Sequence, residues 1–356
     1  MDKLTALAPD LKHLRLRMAM ATDLAELQRT ACDTRLLMFR LIDELPAESL
    51  TRQISSLNDA ITQRAISLVC ASSGTDVGRW CWIALGSEGR QEQTLASDQD
   101  NGIIFASDAD DEAQRQALLP LAWRINDALA ACGFPLCAGQ IMASNPDCCL
   151  SLHEWQVRFT NWISDGDPQA LLNATIFFDL RALYGAHELA HALQEWLALN
   201  AADNPRFLLQ MAENAVRRAP PLGLLRNLVV QKEGEHAGTI DLKLNAATLF
   251  VDAARLYGLA CGSLASNTAD RLRDAVAAQK LDASAAEASI RAFYFIEMLR
   301  LENQRRCYLR GEAMHNHVNP DRFDHAERRM LVAALRQAGA LQNRLMSDFR
   351  GGATRL

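Results

Sequence analysis

Apolar residues recur at three- and four-residue spacing through Leu24, Leu27, Leu36, Leu37, Phe39, Leu41 and Ile42, the signature of one helix face. Residues 1 to 72 therefore read as helices, punctuated by Pro46 and by Ser55-Ser56. Ala71-Ser72-Ser73-Gly74-Thr75 is a small-residue linker where a domain boundary is expected. The period then changes. Residues 80–85 and 102–106 are short, continuous apolar runs of the kind found in buried strands. Residues 111–132 are amphipathic and stop at Gly133, as helices do. Residues 136–143 are expected as a third strand. Beyond Asn145-Pro146 nearly everything reads as helix, over 150–165, 168–184, 187–200, 205–218, 246–263, 268–279, 283–309 and 325–348. Residues 236–243 form a short extended candidate. The expected fold class is α+β, a small mixed sheet flanked by N-terminal and C-terminal helical domains, with boundaries at 1–72, 73–185 and 186–356.

Between the first two expected strands lies Gly86-Ser87-Glu88-Gly89-Arg90-Gln91-Glu92, followed by Ser97-Asp98-Gln99-Asp100-Asn101. A Gly-Ser turn at a strand end exposes backbone N–H groups that can cradle an anion. Asp98 and Asp100 are one residue apart, so in an extended strand both carboxylates point to one face. An oxygen-only pair of this kind suits Mg²⁺ (or Mn²⁺) held together with substrate phosphates. Phosphates beside a two-carboxylate metal site suggest nucleotidyl transfer. Arg90 offers a fork for phosphate, or else pairs with Glu88 or Glu92. Gly89 permits close approach of a ligand.

A Gly-Ser turn followed by Asp-x-Asp resembles the polymerase-β-type nucleotidyltransferase superfamily. The longer string GSEGRQEQTLASDQDNGIIF is closer to one branch, the nucleotidyltransferases related to bacterial PII uridylyltransferases. CAGQIMASNP, IFFDLRALYG, GTIDLKLNAATLFVDAARLYGLACG and NTADRL resemble the same branch in the same order, so the likeness runs over residues 60–345. The CBS or cyclic-nucleotide-binding modules that such proteins often carry are not recognisable in this sequence. The resemblance implies a nucleotidyltransferase core and a C-terminal helical substrate-binding domain. It implies Mg²⁺-dependent transfer of an NMP from an NTP to a protein or small-molecule acceptor. Asp98 and Asp100 would bind the metal, and Gly86, Ser87, Gly89 and Arg90 would hold phosphates. The alternative is an NTP-binding regulatory or interaction protein without turnover.

Many members of the superfamily carry a third acidic residue on a neighbouring strand. The corresponding segment, Leu136-Cys137-Ala138-Gly139-Gln140-Ile141-Met142, has no carboxylate. Asp179, in the apolar run Ile176-Phe177-Phe178, is the substitute candidate, because a carboxylate in such a segment needs a partner. It reads equally as a structural partner of an arginine elsewhere. Asp241 and Lys243 alternate with Ile240, Leu242 and Leu244, so in a strand they would share a face. Lys243 could then meet a phosphate, or form a salt bridge. Arg255, in an apolar helix, has the same two readings. His187-Glu188-Leu189-Ala190-His191 matches the zinc motif H-E-x-x-H, but no metzincin-type third histidine follows, and a plain helix is expected. His315-Asn316-His317 reads as a loop before Asn319-Pro320.

Composition narrows the partners. The 356 residues carry a net charge of −6 and a pI near 5.8, so no basic field favours general nucleic-acid binding. Nine cysteines without a C-x-x-C pair point to free thiols in a reducing compartment. No apolar stretch approaches the ~18–20 residues of a membrane span, and no signal core is visible at the N-terminus. A cytoplasmic protein with no membrane association is expected. Its oligomeric state is not encoded in any readable motif.

Overall fold

The computed structural model describes residues 3–74, 78–106, 110–165, 171, 175–223 and 227–353. It begins with helices α1 (Lys3–Met20), α2 (Leu24–Leu41) and α3 (Ala47–Ser73). Asp23 caps α2 by accepting the Glu26 N–H at 2.8 Å, and Glu26 accepts the Thr22 N–H in return, a reciprocal cap. Gly74, at φ 62°, ends α3 in the left-handed region. Then follow β1 (Trp80–Ala84), the single-turn helix α4 (Gly86–Gly89), β2 (Asn101–Phe105), α5 (Asp111–Ala131), β3 (Cys149–Ser151), α6 (Leu152–Asp165), β4 (Arg181–Gly185) and α7 (His187–Ala202). The sheet order is β3-β2-β1-β4. β1 pairs antiparallel with both β2 and β4, and β2 pairs parallel with β3. Every residue of β1 and β2 is buried, so these strands carry continuous rather than alternating apolar sequence. The architecture is α+β, with a small mixed sheet among helices.

Two expected elements differ. Residues 136–143 are not a strand. Pro135 has no N–H to give a ladder, and Gln140 takes φ 60°, which breaks extended geometry. The sheet instead recruits Cys149–Ser151 and Arg181–Gly185. The helix expected over 168–184 falls partly outside the described residues. Its described end is a 3₁₀ turn, Thr175–Asp179, leading into β4. Gly185, at φ 87°, lies so close to β1 that a Cβ there would sit 2.3 Å from the Trp80 carbonyl oxygen.

The chain forms two compact units, Met1–Phe159 with Asp179–Trp196 and Thr160–Phe178 with Leu197–Leu356. In the first, α3 is stitched to the sheet and to the turn after α4. Gln63 Nε2 donates to the Leu183 carbonyl at 3.0 Å, Asn58 Nδ2 to Gln93 Oε1 at 3.2 Å, and Arg181 Nη2 to Asp59 at 2.8 Å. The second unit contains α8 (Pro205–Ala215), β5 (Ile240–Asp241), α9 (Thr248–Ala260), α10 (Thr268–Ala277), α11 (Ala283–Leu309), β6 (His317–Val318) and α12 (His325–Ala353). Asn204, Asn267 and Asp282 supply side-chain caps for α8, α10 and α11. Phe207, Phe250, Phe293 and Tyr257 are buried at its centre. Among the described residues no helix is long and apolar enough to cross a membrane. All nine cysteines are free thiols.

Candidate functional site

The site is built where β1 ends and β2 begins. Asp98 and Asp100 precede β2, which starts at Asn101, rather than lying within it. The segment is nonetheless extended, because the Asp100 carbonyl accepts the Leu85 N–H at 2.8 Å and prolongs the β1–β2 pairing. Alternate residues do separate jobs. Gln99 and Asn101 are buried and tie the segment to the loop that follows α5. Gln99 Nε2 donates to the carbonyls of Asn126 and Phe134, and its N–H to Pro135. Asn101 Oδ1 accepts from the Ala143 N–H at 2.8 Å and from Asn126 Nδ2 at 3.0 Å. The Asn101 N–H donates to the Ile141 carbonyl.

These anchors fix the loop that carries Cys137. Ligand atoms of Asp98, Asp100 and Cys137 all lie within 4.8 Å of one another. Among the described residues this is the one three-donor group able to hold a metal ion. Two carboxylates give hard oxygen donors of the type Mg²⁺ or Mn²⁺ takes, and the residues fit that ion. The third vertex is a thiol rather than an acid. Burial pushes the Cys137 thiol up, and the charge and hydrogen bond of Asp100 push it further.

The Gly-Ser turn becomes α4. Gly86, at φ 53°, makes a turn that a side chain would strain. Gly86, Ser87 and Glu88 open that helical turn, where backbone N–H groups have no intrahelical acceptor. Gly89 is required for a different approach from the one expected. A Cβ there would lie 2.0 Å from the Asp179 carbonyl oxygen and 2.9 Å from that of Ala84, so the close approach that Gly89 permits here is to protein backbone.

Arg90 and Asp179, expected in separate roles, meet each other. Arg90 Nη1 donates to Asp179 Oδ2 at 2.6 Å and Arg90 Nε to Glu92 Oε2 at 2.8 Å. The Asp179 side chain has no exposed surface and that of Arg90 only 13%. Burial works against the Arg90 charge, and Asp179 and Glu92 more than offset it. Lys243 belongs to the second unit. It is in a π-helical turn, Lys243–Ala247, and not in a strand with Asp241. The reason is local: the Asp241 carboxylate accepts the Leu244 N–H at 3.0 Å and turns the chain into helix after two strand residues. Arg255, also in the second unit, pairs with Asp252 at 2.6 Å.

From the sequence, Glu88 is expected only as an alternative partner of Arg90. It is buried in α4, close to Asp59, Arg181 and Asp100. Burial, aided by Asp59 and Asp100 and opposed by Arg181, pushes its carboxyl up to about 8. Its place between Ser87 and Gly89 gives no sign of burial. The His187–His191 motif lies on α7, with both histidines exposed and Glu188 bound to Arg79 at 2.6 Å. No three-donor group forms there among the described residues.

No curated protein matches the chain. Two family models do. The one described as "Putative nucleotidyltransferase DUF294" matches residues 34–169, which hold α3, the sheet strands β1 to β3 and the Asp98–Asp100–Cys137 group. The one described as "Putative nucleotidyltransferase substrate binding domain" matches residues 205–349, the helices of the second unit. The order of motif, metal-ligand group and C-terminal helical region is thus that of one family, and the chain belongs to this nucleotidyltransferase family with its C-terminal substrate-binding domain.

Proposed function

We propose that the first unit transfers a nucleoside monophosphate from an NTP to an acceptor, with pyrophosphate leaving. The observation that carries this reading is the convergence of Asp98 and Asp100 beside the opening turn of α4. Asp98 and Asp100 would hold Mg²⁺ or Mn²⁺, and the Gly86 and Ser87 amides with the Ser87 hydroxyl would hold the outer phosphates. A divalent ion bound there supplies charge neutralisation to the phosphates and orients them for in-line displacement. Arg90 and Asp179 act as a positioning pair. Asp179 fixes the guanidinium under α4, and the Asp179 carbonyl against Gly89 fixes the turn itself. A fully buried carboxylate already facing a guanidinium is a poor proton acceptor for substrate. The resemblance to PII uridylyltransferases favours a protein side chain as acceptor and UTP as donor, with a small-molecule acceptor as the other option. A cytoplasmic site of action is part of the same proposal.

One observation favours a second reading, an NTP-binding regulator without turnover. The third vertex of the metal group is Cys137 where the wider superfamily has an acid. Labelling decides between them. The protein is incubated in lysate with each α-³²P-NTP and Mg²⁺ or Mn²⁺. A labelled acceptor that disappears with Asp98→Asn/Asp100→Asn supports transfer. Metal-dependent NTP binding without any labelled acceptor supports the regulator. Metal-dependent NTP affinity that survives in the folded double variant removes the site assignment altogether.

A further inference from the structure

His315-Asn316-His317 takes no part in the first unit's site. In the second unit it leads into β6 and lines a polar cleft of about 320 Å³, within the ~300–1,000 Å³ range of ligand pockets. The triplet is held from behind. Asn316 Oδ1 accepts from Arg300 Nε at 3.1 Å and from Gln304 Nε2 at 2.9 Å. Arg300 and Gln304 are buried on α11, and Arg300 also donates to both oxygens of buried Glu297, at 2.6 and 2.7 Å. Asn303 Nδ2 donates to the carbonyls of His315 and His317 at 2.9 and 3.3 Å. With Asn316 engaged by this network, the two flanking histidines line the cleft. His236 stacks on His317 with ring centroids 3.7 Å apart. His315 Nδ1 accepts the His317 backbone N–H at 3.2 Å, so in the neutral ring Nε2 carries the proton, and it faces Cys307 Sγ at 3.6 Å.

Arg306, Arg310 and Arg322 line the same cleft. The first two are one helical turn apart at the end of α11. Arg322 comes from a separate 3₁₀ turn, Pro320–Arg322. Among the described residues none of the three forms an ion pair, and Arg306 Nε makes only a long bond to the Glu302 carbonyl at 3.4 Å. Glu235 and Glu312 also line the cleft, so three guanidinium groups face two carboxylates. A positive excess is notable in a chain of net charge −6. Arginines at a helix C-terminus complement its dipole, but that role covers neither Arg322 nor three histidines held at one rim. The guanidinium forks suit a phosphoryl group, while two of the histidine rings are held in place by neighbours, His315 Nε2 facing Cys307 Sγ at 3.6 Å and His317 Nε2 facing Asp241 at 3.8 Å.

We propose that this cleft binds the phosphate group of a small phosphorylated molecule. The site needs neither Asp98 nor Asp100 and stands independently of nucleotidyl transfer. The test uses full-length Asp98→Asn/Asp100→Asn protein in EDTA, so that the metal site contributes nothing. Inorganic pyrophosphate is titrated in by calorimetry, with citrate as a control anion. The expected result is one pyrophosphate per chain and clearly weaker citrate binding. In Arg306→Gln/Arg310→Gln/Arg322→Gln on the same background, pyrophosphate affinity falls roughly tenfold or more, the scale of losing charged hydrogen bonds. All three arginines are exposed, so circular dichroism of the variant should match the parent. Imidazole NMR signals of His236, His315 and His317 should move on addition of pyrophosphate. No binding at millimolar pyrophosphate, or equal binding by the arginine variant, overturns the site. Citrate binding as tight as pyrophosphate overturns the phosphate assignment.

Discussion

Replacing Asp179 by asparagine separates a structural role from a catalytic one. The Asp179 carboxylate is fully buried and faces the Arg90 guanidinium at 2.6 Å. Glu92 holds the same guanidinium through Nε at 2.8 Å. Asp179→Asn therefore takes one anionic partner from a buried cation and leaves Glu92 in place. Breaking a buried pair from one side costs ~3–5 kcal/mol, and the surviving Glu92 contact places this case at the lower end, about 3 kcal/mol. For a unit of this size each kcal/mol moves Tm by ~2–4 °C, so the expected fall is roughly 6–12 °C. Melting temperature and turnover are measured on one preparation, with turnover expressed per folded molecule well below the transition. The positioning role predicts the thermal loss. A general base predicts the reverse, an unchanged Tm with turnover lowered ~10²–10⁴-fold. Removing all three charges as Arg90→Met/Glu92→Gln/Asp179→Leu should recover part of the stability, since neither the buried cation nor the buried Glu92 carboxylate is then left without its partner. An Asp179→Asn protein that melts with the wild type refutes the structural argument.

Cys137→Ser should leave Mg²⁺ affinity within about threefold, because Mg²⁺ takes oxygen ligands, and should lower Cd²⁺ affinity by roughly tenfold or more, because only a thiolate favours the softer ion. Calorimetry with each ion checks this, and unchanged Cd²⁺ affinity places Cys137 outside the metal group. Glu88 stays protonated up to about pH 8, against 4.5 for an ordinary glutamate, because it is buried near Asp59 and Asp100. The folded state thus binds this proton more tightly than the unfolded state, so its contribution to stability is full below pH 4.5 and is lost as pH rises towards 8. Glu88→Gln should remove that slope in denaturant titrations run across the window, and an unaltered slope counts against burial of the carboxyl. His187→Ala/His191→Ala should leave metal content and activity unchanged, since no third ligand meets them among the described residues. Stoichiometric zinc in the wild type that is lost in this variant would show the opposite.

The parts of the fold that could be read from sequence are those with a local cause. The runs that became β1 and β2 are continuous and apolar because both faces are covered. α11 and α10 begin where Asp282 and Asn267 provide caps. Strands β3 and β4 were not readable for the opposite reason. Cys149–Ser151 is three residues long, and Arg181–Gly185 includes an arginine whose partners, Asp59 and the Glu88 carbonyl, lie 122 and 93 positions away. Only tertiary pairing with β2 and β1 makes these segments extended. At Lys243 one side chain overrules the alternating pattern: Asp241 captures the Leu244 N–H and turns the chain into helix.

The candidate site divides along the same line. Asp98 and Asp100 could be found because period-two spacing places them together without help from elsewhere. The third vertex could not. Asp179, an acid in an apolar run, is the carboxylate that the sequence offers in its place, and its burial has a different cause. Asp179 is buried because it neutralises Arg90, which lies on the turn carrying the phosphate-site candidates. The residue that does approach Asp98 and Asp100 is Cys137, a thiol on a loop with no periodicity. It is brought there by Gln99 and Asn101, the residues of the Asp-x-Asp segment that point the other way. In this family motif the alternate positions are therefore as informative as the acids. The carboxylates define what could bind, and the two amides between and beside them determine which loop completes the site. Substituting Gln99 or Asn101 should consequently disturb the metal group without touching a ligand.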